Sequence, residues 1–469
     1  MEQVLPKNSK NSQESKYRTS FILTIAVIIV NYYEIYNHFW FLKLLGGYVI
    51  KIWLLPALLF FYILIRQFIK GKIIFPSKNI RHLNHFLLFY VIFGIGALFV
   101  HETLWNIIKY SLMMFAPLML YVVILYHFKD NIAIERMLKI LFAIGLMFAI
   151  YSAYLYLIED PSAWTGQKIE KKFMFSEDTA EFETYALEYL YLDRRPAVRH
   201  TIPGIDEPKF GGILCPLVLV GFYFSLRSKG YMRIFYYVSS FFLFYTVMST
   251  LSRSSGTALL IGTLLFFMLL RKKILTLIFA LLSIVLVLSV ALYTEGAIDR
   301  FLSLVYNIPI LGENQFIYDL VSKRGIYVQR DGHVESYSEG LKVVSEAPLY
   351  GLFGIGVKNF EDRYVDYRYV VPHNRYMFIL NTTGILTLIP YAGFIILLIF
   401  ISRKLVIRRL KSQGVMNNIG LVLYPATVAL AIKLNNEGLE AYYYWIFFGL
   451  TVAWIRNLSQ KVENENLVN

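Results

Sequence analysis

Residues 330–392 read RDGHVESYSEGLKVVSEAPLYGLFGIGVKNFEDRYVDYRYVVPHNRYMFILNTTGILTLIPYA. The stretch begins as a long polar and aromatic loop with a glycine-rich turn at 351–356. Past Pro372, His373 and Asn374 it becomes an apolar segment that continues to Phe400. A polar loop that runs straight into an apolar helix of bilayer length puts the groups at the junction at a membrane surface.

The rest of the chain has the same character. Its 469 residues are 57% hydrophobic, 17% aromatic and 17% charged, a membrane composition rather than that of several soluble domains. Apolar segments recur at Ser20–Tyr33, Gly46–Ile65, Asn84–Val100, Lys109–Tyr126, Ile140–Ile158, Phe210–Leu226, Ile234–Met248, Ser255–Leu270, Ile274–Tyr293, Met377–Phe400, Met416–Lys433 and Ala441–Ile455. The expectation is an all-α polytopic membrane protein of about twelve transmembrane helices. The organisation that follows is an N-terminal tail at 1–19, helices 1–5 within 20–158, a long loop at 159–209, helices 6–9 within 210–293, a larger loop at 294–376, helices 10–12 within 377–455 and a tail at 456–469. The first span lacks a small-residue cleavage site and reads as an uncleaved anchor.

The net charge of +14 reports topology before it reports a partner, because cationic loops resist translocation. With the N-terminus inside, the inner loops at 66–83, 128–139, 227–233, 271–273 and 402–411 hold 19 lysines and arginines, and the short outer loops at 34–45, 101–107, 251–254 and 434–440 hold 2. Both tails are therefore assigned to the cytoplasm and both long loops to the outer face. No nucleic-acid partner is implied. Loop 159–209 carries eleven acids and seven bases with an apolar patch around Tyr185–Leu192, which suits a lid or an interfacial helix. Loop 294–376 carries eleven acids and nine bases; Tyr337, Leu341 and Val344 recur at helical spacing, with Pro348 and Gly351 as the stop. The single cysteine, Cys215, lies in an apolar segment, so an intrachain disulfide or a cysteine cluster is excluded.

Four groups from separate parts of the sequence fall at the outer boundary: Arg199 before span six, Arg253 in the hairpin TLSRSSG, Arg330 in the large loop and His373 at the start of span ten. A guanidinium is permanently charged and presents a planar fork that matches phosphate oxygens in pairs, so several arginines at one depth suit a diphosphate. Imidazole as a group titrates near neutrality, so His373 suits taking a proton from a hydroxyl or holding a leaving phosphate. Each group also has a plain structural reading. An arginine at a helix end commonly snorkels to the interface, and spacing alone favours helix-start roles for His373 and Asn374, the latter as a cap. Arg253 stands apart, since its hairpin is too short to carry the charge away from the bilayer.

Other chemistries fail on the residues. His101-Glu102 has no second histidine four residues on, GLFGIG lacks the Lys-Ser/Thr end of a phosphate loop, and Arg253 occupies the place where a membrane serine protease would need glycine before Ser255. The first outer loop, YYEIYNHFWFL, offers only Glu34 where an acidic pair would hold a divalent cation. Neither a metal nor an organic cofactor is expected.

Ser252-Arg253-Ser254-Ser255-Gly256 opening a span, Arg330 followed by SEAPLYGLFGIGVKNF at 345–360, and Pro372-His373-Asn374 with Gly384 in the next span together resemble the O-antigen ligase and polymerase superfamily, membrane glycosyltransferases that share the Wzy_C region. The likeness covers roughly 195–400 and includes Arg199 and Gly204. It departs from the family pattern before span six, where EPKFGG stands in place of Pro-Asn-small, and Arg194 and Arg195 lie close by. The resemblance implies a GT-C-like, metal-independent, inverting enzyme of the bacterial inner membrane. Such an enzyme passes a glycan from an undecaprenyl diphosphate carrier to a lipid A core or comparable glycan acceptor on the periplasmic face, among membrane lipids. It further implies that Arg199, Arg253 and Arg330 bind the diphosphate with Asn374 in the substrate site. His373, Arg330 and Arg253 would be the catalytic set, with His373 as base or as diphosphate ligand.

Two other readings stay open at this point. A polymerase would use a second carrier-linked repeat unit as acceptor, and the sequence barely separates it from a ligase. A non-enzymatic transporter of lipid-linked glycan would need charge deep in its spans, where the sequence offers chiefly Lys51.

Overall fold

The computed structural model describes residues 21–33, 54–69, 80–158, 201, 205, 207–250, 252–270, 341–342, 344–360, 374–413, 418–434 and 442–468. Every regular element among them is helical. In chain order these are α1 (Phe21–Tyr32), α2 (Leu54–Ile69), α3 (Arg81–His101), α4 (Leu104–His127), α5 (Asn131–Ile158), α6 (Glu207–Arg227), α7 (Gly230–Ser249), α8 (Arg253–Leu269), α9 (Pro348–Phe353), α10 (Arg375–Thr383), α11 (Ile385–Gln413), α12 (Gly420–Lys433) and α13 (Tyr442–Val468). Within the described residues four helices are long and apolar enough to cross a membrane: 81–101, 131–155, 208–227 and 385–412. A fifth is added if the bent pair 104–112 and 114–127 is one span. Among the described residues the fold is all-helical with several candidate spans, consistent with a polytopic membrane protein. The expected span at 274–293 and Lys51 lie outside the described residues.

Helices dominate because a backbone inside lipid must satisfy its own N–H and C=O groups. Side-chain hydroxyls extend the same economy: Thr246, Thr263, Thr382, Thr427 and Thr451 each donate to the carbonyl four residues back. Small residues then let helices approach. Gly262 of α8 lies in a close contact, where a methyl would come 3.0 Å from Ala429 of α12 and 3.4 Å from Leu219 of α6 and would press its neighbours apart. Because Ser255 of α8 packs at Gly211 of α6 and Lys433 of α12 at Gly212, α6 and α8 run in the same direction and α12 runs against both.

One end of the bundle is locked by charge. The Arg227 guanidinium at the end of α6 donates to Glu135 near the start of α5, and Tyr223 donates to the same carboxylate at 3.3 Å. Arg456 of α13 donates to the Leu125 and Phe128 carbonyls, the latter at 2.8 Å, where α4 runs out of intrahelical donors. This is the end that the lysine and arginine count assigns to the cytoplasm.

At the opposite end two local expectations change. The apolar run from Met377 to Phe400 is a pair of helices, α10 and α11, parted by Gly384 at φ +79°. Pro348 opens α9 instead of closing a helix, because proline at the first helical position lacks only an N–H that has no partner there anyway. The helix ends meet: α9 stops at Gly354 (φ +73°) and α10 at Gly384, and the two glycines face each other's backbones. A methyl on Gly354 would lie 2.3 Å from the Thr382 carbonyl carbon, and one on Gly384 would lie 2.0 Å from the Leu352 oxygen. Between them the Ile355 N–H donates to the Asn381 carbonyl (2.8 Å) and the Gly356 N–H to Thr382 (3.1 Å).

Replacing Gly384 by Ala therefore combines a backbone conformation that L residues avoid with a clash against a carbonyl, and we expect a loss of about 3 kcal/mol. Gly96→Ala, where nothing lies within 4 Å of the added carbon, is expected to gain up to about 1 kcal/mol from helix propensity. Unfolding of both variants in detergent micelles checks the pair.

Candidate functional site

The hairpin TLSRSSG is built from hydroxyl groups. α7 ends at Ser249 and α8 begins at Arg253, so only three residues turn the chain. Ser252 caps α8 by accepting from the Ser255 N–H (3.4 Å), Thr250 accepts from the Ser252 N–H (3.3 Å), and the Ser252 and Ser254 hydroxyls lie 3.2 Å apart. Ser255 then donates to the Pro208 carbonyl at the start of α6 (2.9 Å). These bonds satisfy donors that the first helical turn leaves without partners. They also fix Arg253, the opening residue of α8, next to the opening turn of α6.

The second element is the start of α10. Asn374 is its cap: the side-chain oxygen accepts from the N–H groups of Tyr376 (2.9 Å) and Met377 (3.1 Å). Tyr376 donates to the Ala431 carbonyl near the end of α12 (3.3 Å). Burial pushes its phenol up to about 12, so it stays a neutral donor near pH 7. Through that bond, and through the packing of α12 on α6, the helix starts that carry Asn374 and Arg253 come to the same end of the bundle.

The third element is the glycine turn. Gly356 (φ +84°) passes close to His101, and Glu102, just past the end of α3, accepts from the Lys358 N–H (2.8 Å) and from the Asn106 amide (3.1 Å). The His101-Glu102 pair thus anchors the 351–358 segment to α3 and α4. Among the described residues no three of His, Cys, Asp or Glu come together as metal ligands.

Of the residues singled out in the sequence, Arg253 and Asn374 have a described backbone at this end, and Asn374 a described side chain. Arg199, Arg330 and His373 lie outside the described residues. The structure also shows two buried cations that sequence reasoning passed over. Arg375, next after Asn374, is 5% exposed. Its guanidinium lies 5.4 Å from the Phe378 ring and close enough to the Tyr90 and Tyr391 hydroxyls for its charge to act on both. Tyr90 and Tyr391 belong to a ring cluster with Trp445 and Phe394, with centroids 5.2 to 6.5 Å apart. Lys433, the last residue of α12, is 0% exposed. Both were readable as cations bordering apolar segments, but one counted as loop charge and the other as the end of a span. Both sit at helix ends, Arg375 opening α10 and Lys433 closing α12.

Asn374→Ala removes two acceptor contacts and is expected to cost about 1 kcal/mol. Asn374→Asp keeps the acceptor and adds charge of the sign a helix start favours, so its stability should stay within about 0.5 kcal/mol of wild type or exceed it. Denaturant unfolding of the two variants side by side measures the difference.

Among curated proteins none matches this sequence. A family model does: residues 238–392 match Wzy_C, described as O-antigen ligase. The matched stretch holds both helix starts just described, α8 with Arg253 and α10 with Asn374, as well as Arg330, His373 and the clasp between Gly354 and Gly384. Over residues 238–392 the chain is thus similar to the Wzy_C family, a likeness that supports the O-antigen ligase and polymerase reading.

Proposed function

We propose that the protein is an O-antigen ligase-like glycosyltransferase of about twelve transmembrane helices, working at the periplasmic face of the bacterial inner membrane. In this reading it moves a glycan from an undecaprenyl diphosphate carrier to a lipid A core or comparable glycan acceptor. The observation that carries the reading is the family match over 238–392, which takes in Arg253, Arg330, His373 and Asn374 together.

The chemistry asked of the protein is modest. The anomeric carbon of the donor is already activated by its diphosphate, so the protein need not create a nucleophile; it must align the acceptor and stabilise the leaving group. The acceptor hydroxyl oxygen forms a bond to the anomeric carbon as the bond to the diphosphate oxygen breaks. The electron pair leaves on the diphosphate, and attack from the opposite face inverts the centre. Arg199, Arg253 and Arg330 neutralise that developing charge without a metal ion. His373 takes the acceptor's proton or, in its other role, holds the leaving group. Asn374 sets the backbone from which His373 projects and contributes to the substrate site. The carrier lipid enters between helices, and the long loops at 159–209 and 294–376 cover the polar site and limit hydrolysis.

Reconstitution in proteoliposomes with an undecaprenyl diphosphate oligosaccharide, offered lipid A core or a second carrier-linked unit, tests the reading by its glycolipid products. Transfer to lipid A core is expected, and Arg253→Ala, Arg330→Ala and His373→Ala should each lower it by about a hundredfold or more. Arg330→Lys should remain impaired if paired planar contacts matter. Transfer that persists in all three alanine variants contradicts the residue roles, transfer only to a carrier-linked unit makes the protein a polymerase, and loss of activity in chelator contradicts a metal-free mechanism.

A further inference from the structure

Helix α10 folds back along α11. The ring of Tyr376 lies 5.9 Å from that of Tyr391, whereas one continuous helix would hold these positions about 22 Å apart. The two helices therefore form a hairpin about Gly384. Tyr391 is six residues into α11, so the first turn of α10 sits about 9 Å along the bundle from the clasp between Gly354 and Gly384. Helix α3 gives the same direction. It runs against α11, with Gly94 beside Thr387 and Gly393 beside Phe86, and its Tyr90 packs 5.2 Å from Tyr391, well before α3 ends at His101. α10 thus begins inside the bundle and ends at the clasp.

Arg375 is the first residue of that inner turn, and it is buried. Local preference is against it there: a cation in the first turn meets the positive end of the helix dipole, and burial takes it out of water. Tertiary contacts explain its place instead. The guanidinium lies 5.4 Å from the Phe378 ring, and that ring meets Phe360 edge-on at 5.4 Å. Its charge acts on the hydroxyls of Tyr90 in α3 and Tyr391 in α11. Both tyrosine rings lie against Trp445 of α13, at 6.5 and 6.2 Å. Aromatic faces and phenol oxygens offset the loss of water around a guanidinium. One side chain therefore ties the start of α10 to α3 and α11, and through their rings to α13.

We propose that Arg375 is a positioning residue for glycan transfer: held among Tyr90, Tyr391 and Phe378, it fixes the depth and orientation of the first turn of α10 and of Asn374 beside it. The proposal rests on the glycosyltransferase reading and deepens it. In that reading Arg199, Arg253 and Arg330 hold the diphosphate, and none of them is on α10. Loosening the start of α10 therefore slows the transfer step and leaves donor binding in place. Misplacing a reacting group by about 1 Å can cost about a hundredfold in rate, so a small shift of this turn suffices.

The test compares wild type, Arg375→Met, Tyr391→Phe and the double variant in proteoliposomes supplied with an undecaprenyl diphosphate oligosaccharide and lipid A core. Undecaprenyl diphosphate binding and the unfolding midpoint are measured on the same preparations. Arg375→Met is expected to lower kcat at least about tenfold while the diphosphate Kd stays within about threefold of wild type. Tyr391→Phe should lower kcat less, and adding it to Arg375→Met should cost less than it does alone, because both changes act on one contact. An arginine that merely holds the fold gives a lowered unfolding midpoint with wild-type kcat well below that midpoint, and this overturns the proposal. A raised diphosphate Kd with kcat unchanged also overturns it, since Arg375 would then be a ligand. If Arg375→Met does not fold, Tyr391→Phe carries the comparison, and wild-type kcat in that variant counts against the anchor. Wild type that transfers glycan no faster than Arg375→Met removes Arg375 alone; wild type that transfers to no acceptor removes the glycosyltransferase reading itself.

Discussion

Two glycines in the left-handed region, Gly354 and Gly384, lie with their backbones in contact, and much at this end of the protein depends on that contact. It can exist only without side chains, because an added carbon on either residue falls 2.0 to 2.5 Å from the other segment's backbone. It turns the run 375–413 into two helices, gives the last carbonyls of α10 partners from residues 355 and 356, and sets the direction of the helix that Asn374 opens. A single straight span would place the start of the helix elsewhere and would pair those carbonyls with the N–H groups four residues on; at the break, donors from residues 355 and 356 take their place.

Around that contact the same end gathers cations. Arg253 opens α8, Arg375 lies against buried tyrosines, and Lys433 closes α12. The opposite end uses its charges differently: Arg227 is paired with Glu135, and Arg456 is bound to the carbonyls that end α4. The Arg227 and Arg456 end is held by compensating polar contacts, while at the other end Arg253 and Arg375 open helices and Lys433 closes one. That asymmetry fits a site for an anionic carrier, and in the glycosyltransferase reading it is the part of the fold that stabilises the leaving diphosphate.

Much of the architecture was legible in the sequence because lipid leaves so few options: apolar runs of bilayer length fold as helices. Asn374 was readable as a cap because asparagine before an apolar run has few better local uses. The break at Gly384 was not legible, since a glycine inside an apolar run looks the same whether it packs a straight helix or ends one; the difference lies in Leu352 and Phe353, thirty residues earlier. Lys433 was hidden for a related reason. A lysine at the end of a span ordinarily snorkels to water, whereas Lys433 is buried, with α6 and α13 approaching it at Gly212 and Tyr443. The common end of the bundle shared by the helix starts at Arg253 and Asn374 was readable from topology, while the packing that holds those helices together was not.

The central claim is that the end of the bundle where α8 and α10 start receives the diphosphate of a lipid-linked glycan. An electron cryomicroscopy map of the protein with undecaprenyl diphosphate bound tests it most directly. The account predicts diphosphate density between the starts of α8 and α10, within hydrogen-bonding distance of Arg253, Arg330 or His373. Density for the diphosphate at the opposite end of the bundle, or those three side chains more than about 15 Å apart where direct hydrogen bonds reach only about 3 Å, would contradict it.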